Sequence, residues 1–159
     1  MRLALLAAGL LISFASSAAA QGFGGYVTAG SGSIDYLIHR ETIPQGTVGV
    51  LWHAASGRIR VGGEADVMTS NGYVSGRGGP LAEVVLVKGR VQPFVRGGYF
   101  VGEDSSWIAG GGVDIWFTPT AGLRLMVQDA FRGLRGPSSF DGRRSTLHEP
   151  SLQIGWTWR

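Results

Sequence analysis

The chain has no cysteine, so no disulfide staples it and no thiolate is available as metal ligand or nucleophile. Charged residues make up only 16% of the 159 residues, and the three histidines are scattered. Apart from the first twenty positions, no apolar run approaches the roughly 18 residues a spanning helix needs. What is abundant is glycine, 27 residues dispersed too evenly to form a linker or a collagen-like repeat. Glycine inside alternating segments instead points to curvature or close packing of neighbouring strands.

The first twenty residues obey their own rule. Arg2 gives a positive start, Leu3 to Ala15 is almost wholly apolar, and Ala18-Ala19-Ala20 ends in the small-residue pattern of a secretory cleavage site, with Gln21 next. Residues 1–20 are therefore read as a signal peptide and residues 21–159 as one domain. Loss of Arg2 leaves thirteen basic and eleven acidic residues, a balance that predicts no nucleic-acid partner.

Beyond residue 21 the dominant signal is alternation at period 2. Arg58 to Thr69 sets Ile59, Val61, Ala65 and Val67 against Arg58, Arg60, Glu64 and Asp66. A slip of one residue exchanges the two faces, so the register is firmly specified. Similar strands are predicted over 22–30, 46–55, 81–88, 91–101, 107–117, 121–131 and 150–159. Tight turns are expected at Ser56-Gly57, Lys88-Gly89 and Thr118 to Ala121. Longer connections are expected after Gly30, Thr69, Gly102 and Phe131. Pro93, which cannot donate a ladder hydrogen bond, is expected near a rim.

Eight strands with turns and loops alternating between two ends predict an all-β fold, an eight-stranded antiparallel up-and-down barrel that crosses a membrane. Its polar face carries Arg58, Arg60, Arg96 and Arg124 with Glu64, Asp66, Glu83 and Asp114, equal numbers that suit an enclosed charge network filling the lumen. The aromatics Trp52, Tyr99, Trp107, Phe117, Trp156 and Trp158 fall on the apolar face toward strand ends, as in a lipid-facing girdle. A soluble sandwich with those faces packed on each other is the competing architecture.

From about residue 90 the sequence resembles a family. Pro93-Phe94, Gly110-Gly111-Gly112-Val113-Asp114, Thr118-Pro119 and Leu123-Arg124-Leu125 occur in an order similar to that of the small outer-membrane β-barrels of Gram-negative bacteria, the OmpA-like and porin-family eight-stranded barrels. The resemblance implies a cell outer membrane location, contact with outer-membrane lipid and lipopolysaccharide, and insertion by the barrel-assembly machinery. The final strand is similar to the family's C-terminal assembly signal, although Arg159 follows the aromatic Trp158. No peptidoglycan-binding domain follows, so cell-wall tethering is not implied.

Chemistry is sparsely signalled. The resemblance allows a lipid A modifying enzyme, an acyl hydrolase or acyltransferase, for which His148, Glu149 and Ser151, with Ser138 and Ser139, are the available groups. Their spacing demands no triad geometry. His39, Asp35 and Glu41 form no metal-ligand motif, so neither catalytic, metal nor cofactor residues are assigned. Arg132, Arg135, Arg143 and Arg144 form a basic loop suited to lipopolysaccharide phosphates. The expectation is a non-enzymatic barrel with a structural or surface-interaction role through its loops.

Overall fold

A computed structural model describes residues 22–35, 40–54, 56–70, 72–102, 105–133 and 146–159. The signal segment lies outside them. Eight strands run β1 Phe23–Asp35, β2 Arg40–His53, β3 Ile59–Ser70, β4 Tyr73–Val85, β5 Val91–Gly102, β6 Ser106–Trp116, β7 Ala121–Gly133 and β8 Thr146–Trp158. Each pairs antiparallel with its neighbours in sequence, and β1 pairs with β8 from Gly25↔Trp158 to Gly32↔Ser151. The barrel is closed. Every strand has a hydrogen-bonded neighbour on both sides, which is the condition for a sheet surrounded by a medium that offers no hydrogen bonds.

The two faces are distributed in reverse of a water-soluble protein. Facing outward and exposed are Val27, Val50, Val67, Val95, Val127, Leu152 and Ile154 together with Trp52, Trp107, Phe117 and Trp156. Buried inside are Arg60, Glu64, Asp66, Glu83, Arg96, Asp114 and Arg124, each at most 5% exposed. Packing the apolar faces against each other, as a sandwich would, is excluded by the single closed sheet.

Two short aromatic–glycine pairs shape the interior. Tyr26 of β1 lies opposite Gly49 of β2, and Phe94 of β5 lies opposite Gly112 of β6. A Cβ at Gly49 would collide with the Tyr26 ring, and one at Gly112 with Phe94 Cζ and the Leu125 carbonyl. The absent side chains are what let both rings lie flat across the lumen, where they join Leu51, Leu81 and Met126 in one apolar cluster.

The expected pattern of short turns and long loops needs correction. One end, here called the turn end, carries residues 54–58, 86–90 and 117–120 between strands, as anticipated. At the other, loop end, the strands extend into what composition marks as loop, and only between β7 and β8 do more than four residues intervene. Ser31–Asp35 pairs with Arg40–Pro44, and Met68–Ser70 with Tyr73–Ser75. The β3–β4 connection is the dipeptide Asn71-Gly72, with Gly72 at φ 82°, the left-handed value a two-residue hairpin requires. Ladder hydrogen bonds override the turn preference of Gly and Ser there.

Prolines mark the ladder's limits. Pro93 is the third residue of β5; Leu86 donates to its carbonyl at 2.8 Å, just past the last β4–β5 pair on that side, so the bond it cannot return falls at the rim. Pro80 sits deeper, and β4–β5 pairing lapses at Gly79 and Pro80 between Gly78↔Val101 and Leu81↔Gly98. Replacing Gly49 with Val should displace the Tyr26 ring and lower stability by about 1–3 kcal/mol, the usual cost of overpacking. Urea unfolding of the protein refolded in vesicles measures this; an unchanged midpoint would show that the ring does not depend on that space.

Candidate functional site: the ionic lumen

Alternation places every second residue of each strand inside, and the register stacks these residues in layers. In the layer nearest the turn end, Asp114↔Arg124 and Arg60↔Glu83 are direct cross-strand pairs. Arg124 Nε and Nη2 donate to the two Asp114 oxygens at 2.7 and 3.0 Å, while Nη1 and Nη2 donate to Glu83 at 2.8 and 3.0 Å. Arg60 donates to Asp114 at 2.6 Å and to Gln92 Oε1 at 2.8 Å, with a longer 3.4 Å approach to Glu83. Two cations therefore share two carboxylates, and the layer is neutral.

The Arg124 guanidinium also lies between two rings, 4.0 Å from the Tyr26 centroid and 4.4 Å from that of Phe94. Its edges go to carboxylates and its faces to aromatic π clouds, so a fully buried cation has every direction filled. The next layer joins Arg96, Glu64 and Tyr26: both Arg96 and the Tyr26 hydroxyl donate to Glu64 Oε2, and Arg96 Nη1 approaches the Met126 sulfur at 3.0 Å.

Nearer the loop end, Asp66 accepts from Gln45 at 3.0 Å, Thr47 at 2.7 Å and Arg77 at 3.2 Å. Arg77 continues to Glu149 at 2.6 Å. Arg77 and Glu149 are interior residues that the sequence reading missed. Composition marks Arg77 as loop, yet it shares the parity of Glu83 on the same strand, and the Asn71-Gly72 hairpin signal is what places it.

Arg58 is the opposite error. It is exposed in the β2–β3 turn, because the β3 ladder starts at Ile59 and leaves Arg58 clear of the barrel mouth. The other seven anticipated charges lie inside. All six anticipated aromatics are on the outer face. Trp52, Phe117, Trp156 and Trp158 stand toward the turn end, with Phe117 and Trp156 6.4 Å apart, and Tyr99 packs on Trp107 at 4.9 Å toward the loop end.

The groups considered for lipid A chemistry do not converge. His148 is on the outer face, its Nδ1 2.7 Å from Asp129 and its ring stacked on Phe131. Glu149 and Ser151 point into the lumen, where Glu149 holds Arg77 and Ser151 accepts from Gln153 at 3.4 Å. The barrel wall separates the base from the hydroxyl. Ser138, Ser139, His39, Arg135, Arg143 and Arg144 lie outside the described residues, as do the side chains of Arg132 and Asp35.

A closed eight-stranded antiparallel barrel with an apolar exterior and an ionic interior is the architecture of small outer-membrane barrels. Two solved structures share the fold. Neisserial surface protein A (NspA) superposes with a TM-score of 0.63 at 11% identity, covering 86% of this chain and 96% of that one. The N-terminal β-barrel domain of Pseudomonas aeruginosa OprF gives 0.51 at 12% identity, covering 84% and 98%. No family model matches the sequence, and no curated protein does.

Removing Arg124 leaves two buried carboxylates sharing Arg60. Arg124→Ala should cost about 3–5 kcal/mol, whereas the double variant Arg124→Met, Asp114→Asn, which deletes one charge of each sign, should cost less than the sum of its single changes. Additive losses in urea titrations would show that the two side chains act independently.

Proposed function

We propose that this protein is an integral outer-membrane barrel without enzymatic activity, exported through cleavage after Ala20, whose role is structural or exerted through its surface-exposed loop end. The observation that carries this reading is the reversal of polarity across the wall: large apolar side chains cover the outside and ions fill the inside. In water such an exterior would be an aggregation surface; in acyl chains it is the favourable one.

The aromatics give the dimension. On β6 and the turn after it, Trp107 and Phe117 are ten residues apart on the outer face, roughly 33 Å along a strand, or ~25 Å after a tilt of ~40°. That matches the height of a barrel's apolar band. Gly111 marks its middle, level with Val95 and Val127. Val61, the third residue of β3, stands nearer the turn end of that band.

The ion-filled lumen supports a side-chain plug and no wide channel. In this reading the basic segment of Arg132, Arg135, Arg143 and Arg144 meets lipopolysaccharide phosphates, the barrel-assembly machinery recognises β8, and the outer-membrane lipid is the constant partner. The division of His148 from Ser151 by the wall supports the absence of acyl transfer.

Three measurements test the proposal. Outer-membrane fractions run unboiled and boiled should give two mobilities, because a closed barrel resists mild detergent; a single mobility, or release into the aqueous fraction, overturns membrane insertion. Val127→Arg should destabilise by about 2–4 kcal/mol in vesicles, and a cost near zero would place that face away from lipid. Lipid A mass spectra from cells with and without the protein should be identical, and any change in acyl chain number would establish the enzymatic alternative.

A further inference from the structure

The turn end of the barrel opens into a cavity of about 710 Å³ whose walls include Lys88, Arg90, Gln92, Trp116, Thr118 and Arg159. Gln92 in its wall accepts from Arg60 at 2.8 Å through its side-chain oxygen and donates from its amide nitrogen to the Gly89 carbonyl at 3.0 Å. Among the described residues, no Asp or Glu side chain lines it. The carboxylates beneath, Glu83 and Asp114, accept from Arg60 and Arg124 and, among the described hydrogen bonds, from none of the cations that line the cavity.

Arg159 is placed rather than merely present. Its backbone N–H donates to Thr120 at 3.1 Å, its Nε donates to Pro119 at 2.9 Å, and its guanidinium lies 4.2 Å over the Trp116 ring. The two terminal guanidinium nitrogens have no described acceptor. Burial first, and then the positive field of Arg60, hold this guanidinium below its usual range, with Asp114 opposing. Trp116 is 3% exposed, and its indole N–H has no hydrogen-bond partner among the described residues. Guanidinium and ammonium donors of Arg159, Arg90 and Lys88 thus line one space, and no carboxylate side chain is among its described lining residues.

We propose that this vestibule binds a tetrahedral oxyanion of the phosphate class, either free phosphate or the terminal phosphate of a monoester. A dianion there would accept charge-assisted hydrogen bonds from Arg159, Lys88 and Arg90. The site depends on the barrel fold and not on which medium surrounds it, so its failure leaves the membrane reading untouched.

The test is calorimetric titration of the detergent-folded full chain with inorganic phosphate and, separately, with glycerol 3-phosphate, both at constant ionic strength set by sodium chloride. Saturable binding of one equivalent is expected. Binding of both compounds identifies a monoester terminus as a ligand; binding of phosphate alone identifies the free anion. Arg159→Gln and Lys88→Gln should each weaken binding about tenfold, the loss of one charge-assisted contact. Arg58→Gln, an equal charge change at the same end but outside the cavity, should leave it within about twofold. Unboiled mobility on gels checks that each variant is folded. Heats that do not saturate, or equal weakening by Arg58→Gln and Arg159→Gln, would reduce the vestibule to a diffuse positive field and overturn the proposal.

Discussion

Everything inside this barrel is arranged around a single buried guanidinium. Arg124 is clamped edgewise by Glu83 and Asp114 and facewise by Tyr26 and Phe94, which brings side chains of β1, β4, β5, β6 and β7 to one point. Taking that cation from water is costly, and the cost is offset only because each direction of approach is filled by a partner of the right kind. The clamp needs space, and the strand glycines create it. Without a bare backbone at Gly49 and Gly112, neither ring reaches the cation. Glycine content and internal charge, unrelated in the composition, are therefore parts of one device.

The ionic layers differ in how local they are. Arg60↔Glu83 and Asp114↔Arg124 are neighbours across a ladder, and once the register is known their pairing follows. Arg60 to Asp114 and Arg77 to Glu149 instead cross the lumen. Such cross-lumen bonds bind non-adjacent walls and resist ovalisation of the cylinder, which the ladder alone does not.

Period-2 alternation made the strands, the closed meander and most of the inward charges legible from sequence. It worked best at Arg58 to Thr69 and at Trp107 to Phe117, where charge or large apolar groups label the faces. It failed where glycine, serine and proline erase the contrast. Tyr73 to Pro80 reads as loop by composition, yet it is strand, because pairing with β3 satisfies its backbone regardless of side chain. The Asn71-Gly72 turn was the available signal. Arg58 shows the converse limit: parity gives a face but not the point where the ladder ends. The vestibule was invisible for a different reason, since Lys88, Arg90, Trp116 and Arg159 come from three separate parts of the chain and meet only when the cylinder closes.

The lapse in pairing at Gly79 and Pro80 gives the wall a direction of failure. Seven of its eight joints are laced without a break along their paired lengths, and the β4–β5 joint has two missing stitches. On the outside, Val61, Ala82 and Gly97 with Pro80 border a shallow trough beside it. The β4–β5 joint therefore has fewer ladder bonds to hold it than the joints around it, and cohesion along that line falls more heavily on side chains that span the lumen, such as the Glu64–Arg96 pair.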